Sequence, residues 1–174
     1  MRKSVRAYDP RPVPREALLR ILEAGRLAPS ASNRQPWHFV VVTDLEKREK
    51  LSHGRYVHFL AKTPVVIVGC GDAEASPRWY TVDVAIALEN VVLAATDEGL
   101  GTCWVGSFDE RDIKQTLKIP EGYRIVALLA LGYPSERLDL TSTLLRLARR
   151  RKDLRQIVSY EAFGGISADE ISTS

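Results

Sequence analysis

The sequence has few of the residues that carry covalent or metal chemistry in proteins. Its 174 residues include two cysteines and three histidines. Cys70 and Cys103 lie in apolar segments and form no C-x-x-C pair, so we interpret both as reduced core residues of a cytoplasmic protein. The histidines form no H-E-x-x-H motif, and neither cysteine stands at metal-ligand spacing from them. This pattern argues against a metal site.

Long apolar runs and a strong excess of one charge are also missing. The longest apolar runs, 64–70 and 125–131, are far shorter than the roughly 18–20 residues that span a bilayer. The excess of 25 Lys and Arg over 22 Asp and Glu leaves a formal net charge of +3, which is too small to indicate a nucleic-acid partner. The N-terminal residues are charged from Arg2 onward and lack the apolar segment of a secretory signal. We therefore expect a soluble, non-exported protein that binds neither membrane nor nucleic acid.

The predicted secondary structure alternates between helices and strands. Helical spacing of apolar residues predicts helices over 15–27 and 83–95, and the second is apolar on nearly every face, which is typical of a central helix. Asp109 is expected to be the N-cap of a shorter helix that runs through Leu117. Strands are predicted at four apolar runs bounded by turn residues: 38–42, 65–68, 103–105 and 125–131. This interleaving indicates one domain of the α/β or α+β class.

The sequence offers no clear nucleophile or base of its own. Gly69 and Gly71 follow a predicted strand without a clear helix start, and Gly99 and Gly101 follow a helix, so neither pair fits a dinucleotide fingerprint. No P-loop and no G-x-S-x-G motif occurs. The carboxylates near these segments are interpreted as turn, cap and helix residues: Asp72, Asp83 and Glu89. A bound cofactor is therefore expected to carry the chemistry.

The N-terminal segment concentrates positive charge. In an extended segment the side chains at alternate positions point the same way, so Arg2, Ser4 and Arg6 would form one cluster. Two guanidinium groups and a hydroxyl suit a phosphate or another anion. Taken alone, the segment is better explained as a solvated charged terminus.

Two further segments are more specific than ordinary loops. Residues 28–37 read Ala-Pro-Ser-Ala-Ser-Asn-Arg-Gln-Pro-Trp directly before a predicted strand. A second basic run lies near the C-terminus and consists of Arg146, Arg149, Arg150, Arg151, Lys152 and Arg155. Both segments need an explanation beyond local structure.

The order of these segments resembles that of the FMN-dependent nitroreductase family, in its short-chain form. The matching motifs are Arg2-Lys3-Ser4-Val5-Arg6 with Tyr8, the string at 28–37, Glu89-Asn90 through Ala94-Ala95, the string Gly99-Leu-Gly-Thr-Cys-Trp-Val-Gly106, Leu131-Gly-Tyr-Pro134, and the basic run ahead of Leu154. The resemblance covers about residues 2–160. It implies an α+β fold of the α/β-sandwich type, with a central mixed, mainly antiparallel sheet flanked by helices. It also implies one FMN-binding domain over 1–163 and an intertwined homodimer. The sequence itself predicts a C-terminal tail over 164–174 that frays or crosses to a partner.

The resemblance further implies an NAD(P)H:acceptor oxidoreductase. FMN would lie in a cleft at the subunit interface. NADH or NADPH would reduce FMN, leave, and be replaced by a nitroaromatic, a quinone or a similar flat acceptor, which is a ping-pong mechanism. No catalytic side chain is assigned, because the flavin carries the chemistry.

Four groups of residues would hold the flavin by this resemblance. The phosphate, the ribityl chain and the pyrimidine edge would be held by Arg2, Lys3, Ser4 and Arg6. The contacts from the other subunit would come from Pro29, Ser30, Ala31 and Asn33. Backbone amides, one of them a donor to N5, and a wall for the ring would come from Trp104, Val105 and Gly106. The last phosphate contacts would come from Arg150, Arg151 and Lys152.

Some alternatives stay open at this point. The stretch 72–82 is short where longer family members insert helices over the active site, so Arg78, Trp79 and Tyr80 either line an open pocket or form the turn into the helix. The same fold also hosts flavin-dependent dehalogenases and flavin-fragmenting enzymes, and a flavin-binding carrier or sensor would need no turnover. A nucleic-acid-binding domain that uses residues 149–152 is the remaining alternative.

Overall fold

The computed structural model describes residues 3–54, 56–135 and 151–165. The chain divides into two compact units, Met1–Asp139 and Leu140–Ser174. The single domain over 1–163 and the tail over 164–174 stay predictions. Gly164 and Gly165 are exposed, and the rest of the tail lies outside the described residues.

The described residues of the first unit form four helices and four strands in an interleaved order. In chain order they are α1 (Arg15–Arg26), β1 (Trp37–Val42), α2 (Leu45–Leu51), β2 (Val65–Asp72), α3 (Tyr80–Asp97), β3 (Gly101–Val105), α4 (Glu110–Leu117) and β4 (Tyr123–Gly132). Short 3₁₀ turns cover Ala31–Asn33 and His58–Lys62. In the second unit, Leu154–Gln156 forms a 3₁₀ turn capped by the Asp153 side chain.

All predicted helices and strands are present, and one helix was missed. The side chain of Asp109 caps α4 by accepting from the amides of Arg111 and Asp112, as predicted. Helix α2 escaped prediction because its sequence, LEKREKL, is mostly polar and short. Its signal was Asp44, whose carboxylate accepts from the amide of Lys47 at 3.0 Å and so satisfies a free N-terminal donor.

The four strands form one antiparallel sheet in the order β1-β2-β4-β3. The N-terminal segment extends this sheet beyond β3. Ser4 forms a parallel bridge with Thr102, and the amide of Val5 donates to the carbonyl of Thr102 at 2.8 Å. The sheet is therefore mixed and mainly antiparallel, as predicted.

Helices cover both faces of the sheet. On one face Ile67 and Leu129 pack with residues of α1 and α3, and on the other Val68 and Leu128 pack with residues of α2 and α4. Neighbouring residues of one strand serve opposite cores because strand side chains alternate in direction. The result is the predicted α+β sandwich. Within the described parts of the chain, no helix has both the length and the apolar character needed to cross a membrane.

Two glycines explain how closely α3 approaches the sheet. A Cβ at Gly69 would lie 2.6 Å from the Leu88 side chain, and a Cβ at Gly71 would lie 2.6 Å from the ring of Tyr80. A side chain at either position would have to displace these side chains of α3. These glycines therefore serve helix packing.

Helix α3 corrects one expectation from the sequence. Val84, Leu88 and the other core residues of α3 are buried, but Val82, Ile86 and Leu93 are exposed. These three fall within about 40° of one another around the helix axis at 100° per residue. Helix α3 is thus buried on one side only and presents an exposed apolar stripe, defined here as Val82, Ile86 and Leu93.

Candidate functional site

The N-terminal segment, residues 3–8, is fixed against the ends of β3 and β4. Tyr8 bridges to Pro134, and its hydroxyl donates to the carbonyl of Val5 at 2.6 Å. A Cβ at Gly101 would lie 2.7 Å from the Val5 side chain, so only glycine admits the segment this closely. The segment is therefore held mainly by backbone contacts, which leaves its charged side chains available for binding.

The charged residues of this segment lie on accessible positions. Val5 is buried, while Ser4 and Arg6 on either side of it are half-buried and Lys3 is exposed. This alternation is that of an extended segment. Burial raises the pKa of Tyr8 well above its usual range, the nearby Cys103 thiol adds to the rise, and Arg6 opposes it. Tyr8 therefore stays protonated as a donor, with the Arg6 cation near it.

Strand β3 continues from the bridge with Ser4 into Trp104, Val105 and Gly106. The indole Nε1 of Trp104 donates to Oε2 of Glu89 on α3 at 3.1 Å. Val105 is buried, and Gly106 is exposed, with open space where a Cβ would stand. The structure thus brings Lys3, Ser4 and Arg6 to the same sheet edge as the predicted ring-contacting residues.

The loop before β1 is strongly constrained. The amide of Gln35 donates to the Ser30 hydroxyl at 2.9 Å. Ser32, Asn33 and Gln35 have φ values of 52°, 54° and 47°, in the left-handed region that non-glycine residues rarely adopt. Three such residues within four positions mark a backbone that surrounding contacts hold in place, which is common at binding sites.

The main anchor of this loop is Asp83 on α3. Its carboxylate is buried at 3% exposure and accepts from the amide of Ala31 at 3.0 Å and from the hydroxyl of Ser76 at 3.2 Å. We had interpreted Asp83 as a helix cap, but it binds the loop. The available signal was an acidic residue in the first turn of a mostly apolar helix.

Asp72 and Glu89 fit their sequence interpretations more closely. Asp72 accepts from the amides of Glu74 and Ala75 at 2.9 Å each, as a turn residue does. Glu89 is a helix residue, but its bond to Trp104 ties α3 to β3. The predicted site therefore depends on two α3 carboxylates, Asp83 for the loop and Glu89 for the strand.

The loop and Trp104 are attached to different sides of α3. Glu89 follows Asp83 by six positions, which corresponds to about 9 Å along the helix and about 120° around it. The predicted contacts Pro29, Ser30, Ala31 and Asn33 are thus held separately from the N-terminal segment, Trp104, Val105 and Gly106.

Arg78, Trp79 and Tyr80 form the entry into α3, which is one of the two roles left open by the sequence. The amide of Trp79 donates to the carbonyl of Ser76 at 3.2 Å in the turn before α3, and the ring of Tyr80 packs on Gly71. Arg78 and Trp79 are exposed and line a depression next to the loop. Whether this depression belongs to an active site stays a prediction.

The remaining predicted contacts belong to other parts of the chain. Arg151 and Lys152, in the second unit, are exposed. Arg2, Arg149 and Arg150 lie outside the described residues.

The cysteines are core residues, as predicted. Cys70 and Cys103 are both buried as thiols. Burial raises the pKa of the Cys70 thiol to about 11, so this group stays protonated and unreactive at neutral pH. In the described ranges, no three His, Cys, Asp or Glu side chains are grouped closely enough to hold a metal ion.

Comparisons with known proteins agree with this geometry. The model of the nitroreductase family matches residues 1–54 and 51–133. Over 146 residues the chain is 36% identical to a protein of Archaeoglobus fulgidus provisionally named NADH dehydrogenase/NAD(P)H nitroreductase, with 79% of this chain and 84% of that protein covered.

Two solved structures show similar folds. The crystal structure of a nitroreductase family protein from Clostridium novyi NT is 32% identical, with a TM-score of 0.74 over 97% of this chain and 93% of that one. An FMN-dependent nitroreductase from Clostridium difficile R20291 is 29% identical, with a TM-score of 0.79 over 93% and 96%. The residues matched by the family model include the N-terminal segment, the loop and β3, and they end ahead of the second basic run.

Proposed function

This chain belongs to the nitroreductase family, and we propose that it is an oxidoreductase that binds FMN. It takes electrons from NADH or NADPH and passes them to a flat acceptor, such as a nitroaromatic compound or a quinone. The observation that carries this proposal is the cationic N-terminal segment, whose Ser4 pairs with Thr102 on the strand that leads into Trp104. This pairing supports the proposal, because it brings the cationic segment to the strand that carries the partly buried Trp104.

The described residues fit the two chemical parts of FMN. Its phosphate carries close to two negative charges, which the Lys3 and Arg6 cations and the Ser4 hydroxyl can bind. The half-buried Trp104 offers apolar surface, Val105 beside it is buried in β3, and the missing side chain of Gly106 leaves room for a ring to approach the backbone. When bound, FMN supplies the transfer of electrons and hydride. Cations near the ring also favour the anionic reduced form.

The side chains of this chain position the flavin and do not react themselves. We assign the phosphate and the ribityl side to Arg2, Lys3, Ser4 and Arg6, and the ring wall and backbone donors to Trp104, Val105 and Gly106. Arg150, Arg151 and Lys152 complete the phosphate contacts. The donor and the acceptor would bind at this site in turn, which would give ping-pong kinetics.

The site is completed by a second copy of the chain. The loop with Pro29, Ser30, Ala31 and Asn33 is held on a different side of α3 from Trp104, so it serves the flavin of the partner subunit. The exposed apolar stripe of α3 supports this homodimer, because a second copy would remove it from water. The buried thiols suit a cytoplasmic location.

The first test is the visible absorption spectrum of the freshly purified protein, with the released chromophore identified by mass. We expect bound FMN at one molecule per chain, bleached by NADH or NADPH and restored by menadione or a nitroaromatic. Initial rates at several concentrations of both substrates should give parallel double-reciprocal lines. A colourless protein that FMN does not reconstitute would overturn the proposal.

A further inference from the structure

A depression of about 380 Å³ lies between the constrained loop and the turn before α3. Its lining consists of Ala31, Ser32, Arg34, Pro77, Arg78 and Trp79. Two of these, Ala31 and Ser32, belong to the loop that contacts the flavin in the proposed function. The depression therefore adjoins the proposed active site, and no assigned flavin contact uses its two arginines.

The two arginines carry positive charge that no acidic side chain offsets. Among the described residues, neither Arg34 nor Arg78 forms an ion pair, and the lining contains no carboxylate. Some arginines of the first unit are instead neutralised by paired bonds to glutamates, as Arg20 is by Glu98 and Arg124 is by Glu110. The depression is thus a local concentration of unneutralised cations.

One of these arginines is held in place. The guanidinium of Arg34 donates to the backbone carbonyl of Ala75 at 3.1 Å. A neutral acceptor orients the group and leaves its charge and most of its five donors for a ligand. Ser32 adds a hydroxyl in the same lining, on a backbone fixed by its positive φ.

Trp79 adds an aromatic surface to the same depression. It is 52% exposed, which is unusual for so large an apolar side chain. Trp79 precedes Val82 of the exposed apolar stripe by three positions, so the depression borders the proposed subunit interface. A flat ring resting against the indole would place an acidic substituent near the guanidinium groups.

We propose that Arg34, Arg78 and Trp79 form a recognition site for an anionic group on an aromatic substrate. This inference rests on the proposed function and names its substrate class: acceptors with a carboxylate, a sulfonate or a phosphate, in preference to neutral ones. A phosphate on the electron donor has the same chemistry, since NADPH differs from NADH by one such group. Arg78 determines this preference by charge-assisted hydrogen bonding.

The test compares Arg78→Gln holoenzyme with wild type and with Arg111→Gln, which removes the same charge from an exposed position on α4. KM is measured for 4-nitrobenzoate and nitrobenzene, and separately for NADPH and NADH. We expect KM for one anionic substrate to rise about tenfold in Arg78→Gln only, as the loss of one charge-assisted bond implies. Arg78→Lys should restore part of the loss.

The two substrate pairs distinguish the source of the anion. A rise for 4-nitrobenzoate but not for nitrobenzene assigns the site to the acceptor, and a rise for NADPH but not for NADH assigns it to the donor. Equal changes within both pairs, or the same change in Arg111→Gln, would overturn the inference.

A binding measurement separates this inference from the proposed function. Calorimetric titration of 4-nitrobenzoate and of 2′-phosphoadenosine, without NAD(P)H, should show binding of one of them that weakens with salt and with Arg78→Gln. If the protein reduces neutral acceptors but Arg78→Gln does not change the binding of either anion, the anion site is wrong and the proposed function stands. A protein that binds no FMN but still binds either anion through Arg78 would overturn the proposed function and leave the anion site intact.

Discussion

The N-terminal segment and the loop at 30–35 both carry proposed flavin contacts, but the fold holds them by different means. The segment is attached by backbone pairing, with the Val5 amide on Thr102. The loop is attached by side chains, chiefly the Asp83 carboxylate on the amide of Ala31. Side-chain substitutions in the segment should therefore remove charge without changing the backbone, whereas loss of the loop anchor should change geometry.

The largest effect is expected from the charges of the segment. Arg2→Ala combined with Arg6→Ala should yield colourless protein, because two charge-assisted contacts to the phosphate are lost. The dissociation constant for FMN should rise by about 10²–10⁴-fold, as two such bonds imply. Titration of flavin fluorescence measures this constant.

The matched control removes two exposed cations elsewhere, with Lys47→Ala and Arg111→Ala. This variant should keep FMN and the thermal stabilisation that a bound ligand provides. A double variant of Arg2 and Arg6 that purifies fully loaded with FMN would show that the segment does not bind the phosphate.

Breaking the proposed dimer should separate the N-terminal segment of one subunit from the loop of the other. Leu93→Asp places a charge in the exposed apolar stripe, twice in a symmetric interface, where burial of an unpaired charge is costly. We expect a monomer by light scattering, with most of its FMN lost. Leu19→Asp on α1 is the control, since Leu19 and Leu93 are both 55% exposed. A Leu93→Asp monomer that keeps tight FMN would contradict a site shared between subunits.

A smaller effect is expected at the loop anchor. Asp83→Ala leaves the Ala31 amide and the Ser76 hydroxyl without their acceptor and should lower the free energy of unfolding by about 2 kcal/mol. FMN affinity should fall about tenfold, because a looser loop must be ordered on binding. Denaturant unfolding and flavin titration measure the two effects.

The matched variant is Asp83→Asn, which keeps an oxygen that can accept from the Ala31 amide. It should recover most of the FMN affinity. If Asp83→Ala destabilises the fold but binds FMN like wild type, Asp83 has a structural role only.

The contrast between the two regions also separates what the sequence predicts from what it does not. The predicted family and the α+β sandwich are confirmed, because the strands and the apolar side of α3 follow local periodicity. The Asp83 to Ala31 bond joins residues 52 positions apart, and the positive φ values of Ser32 and Asn33 lie in the loop that this bond anchors. No local pattern reports such contacts. The sequence also predicts that α3 is central, whereas Val82, Ile86 and Leu93 are exposed. Apolar periodicity does not distinguish a core face from an interface.

The smallest effect is expected at an ion pair outside both the N-terminal segment and the loop. This pair shows how a loss of stability alone affects FMN binding. Arg124 hydrogen-bonds to Glu110 and holds the pKa of that carboxyl below its usual value. A depressed pKa in the folded state contributes stability above the unfolded pKa, and this contribution is lost as pH falls through the folded value. Glu110→Gln should therefore lower the unfolding midpoint at pH 7 by only about 1–2 °C, as expected for a pair near the surface. The difference from wild type should shrink below pH 4 in thermal melts, and FMN binding should not change.

A loss of FMN in Glu110→Gln would mean that flavin affinity follows general stability, and the Asp83 result would then carry no information about the loop.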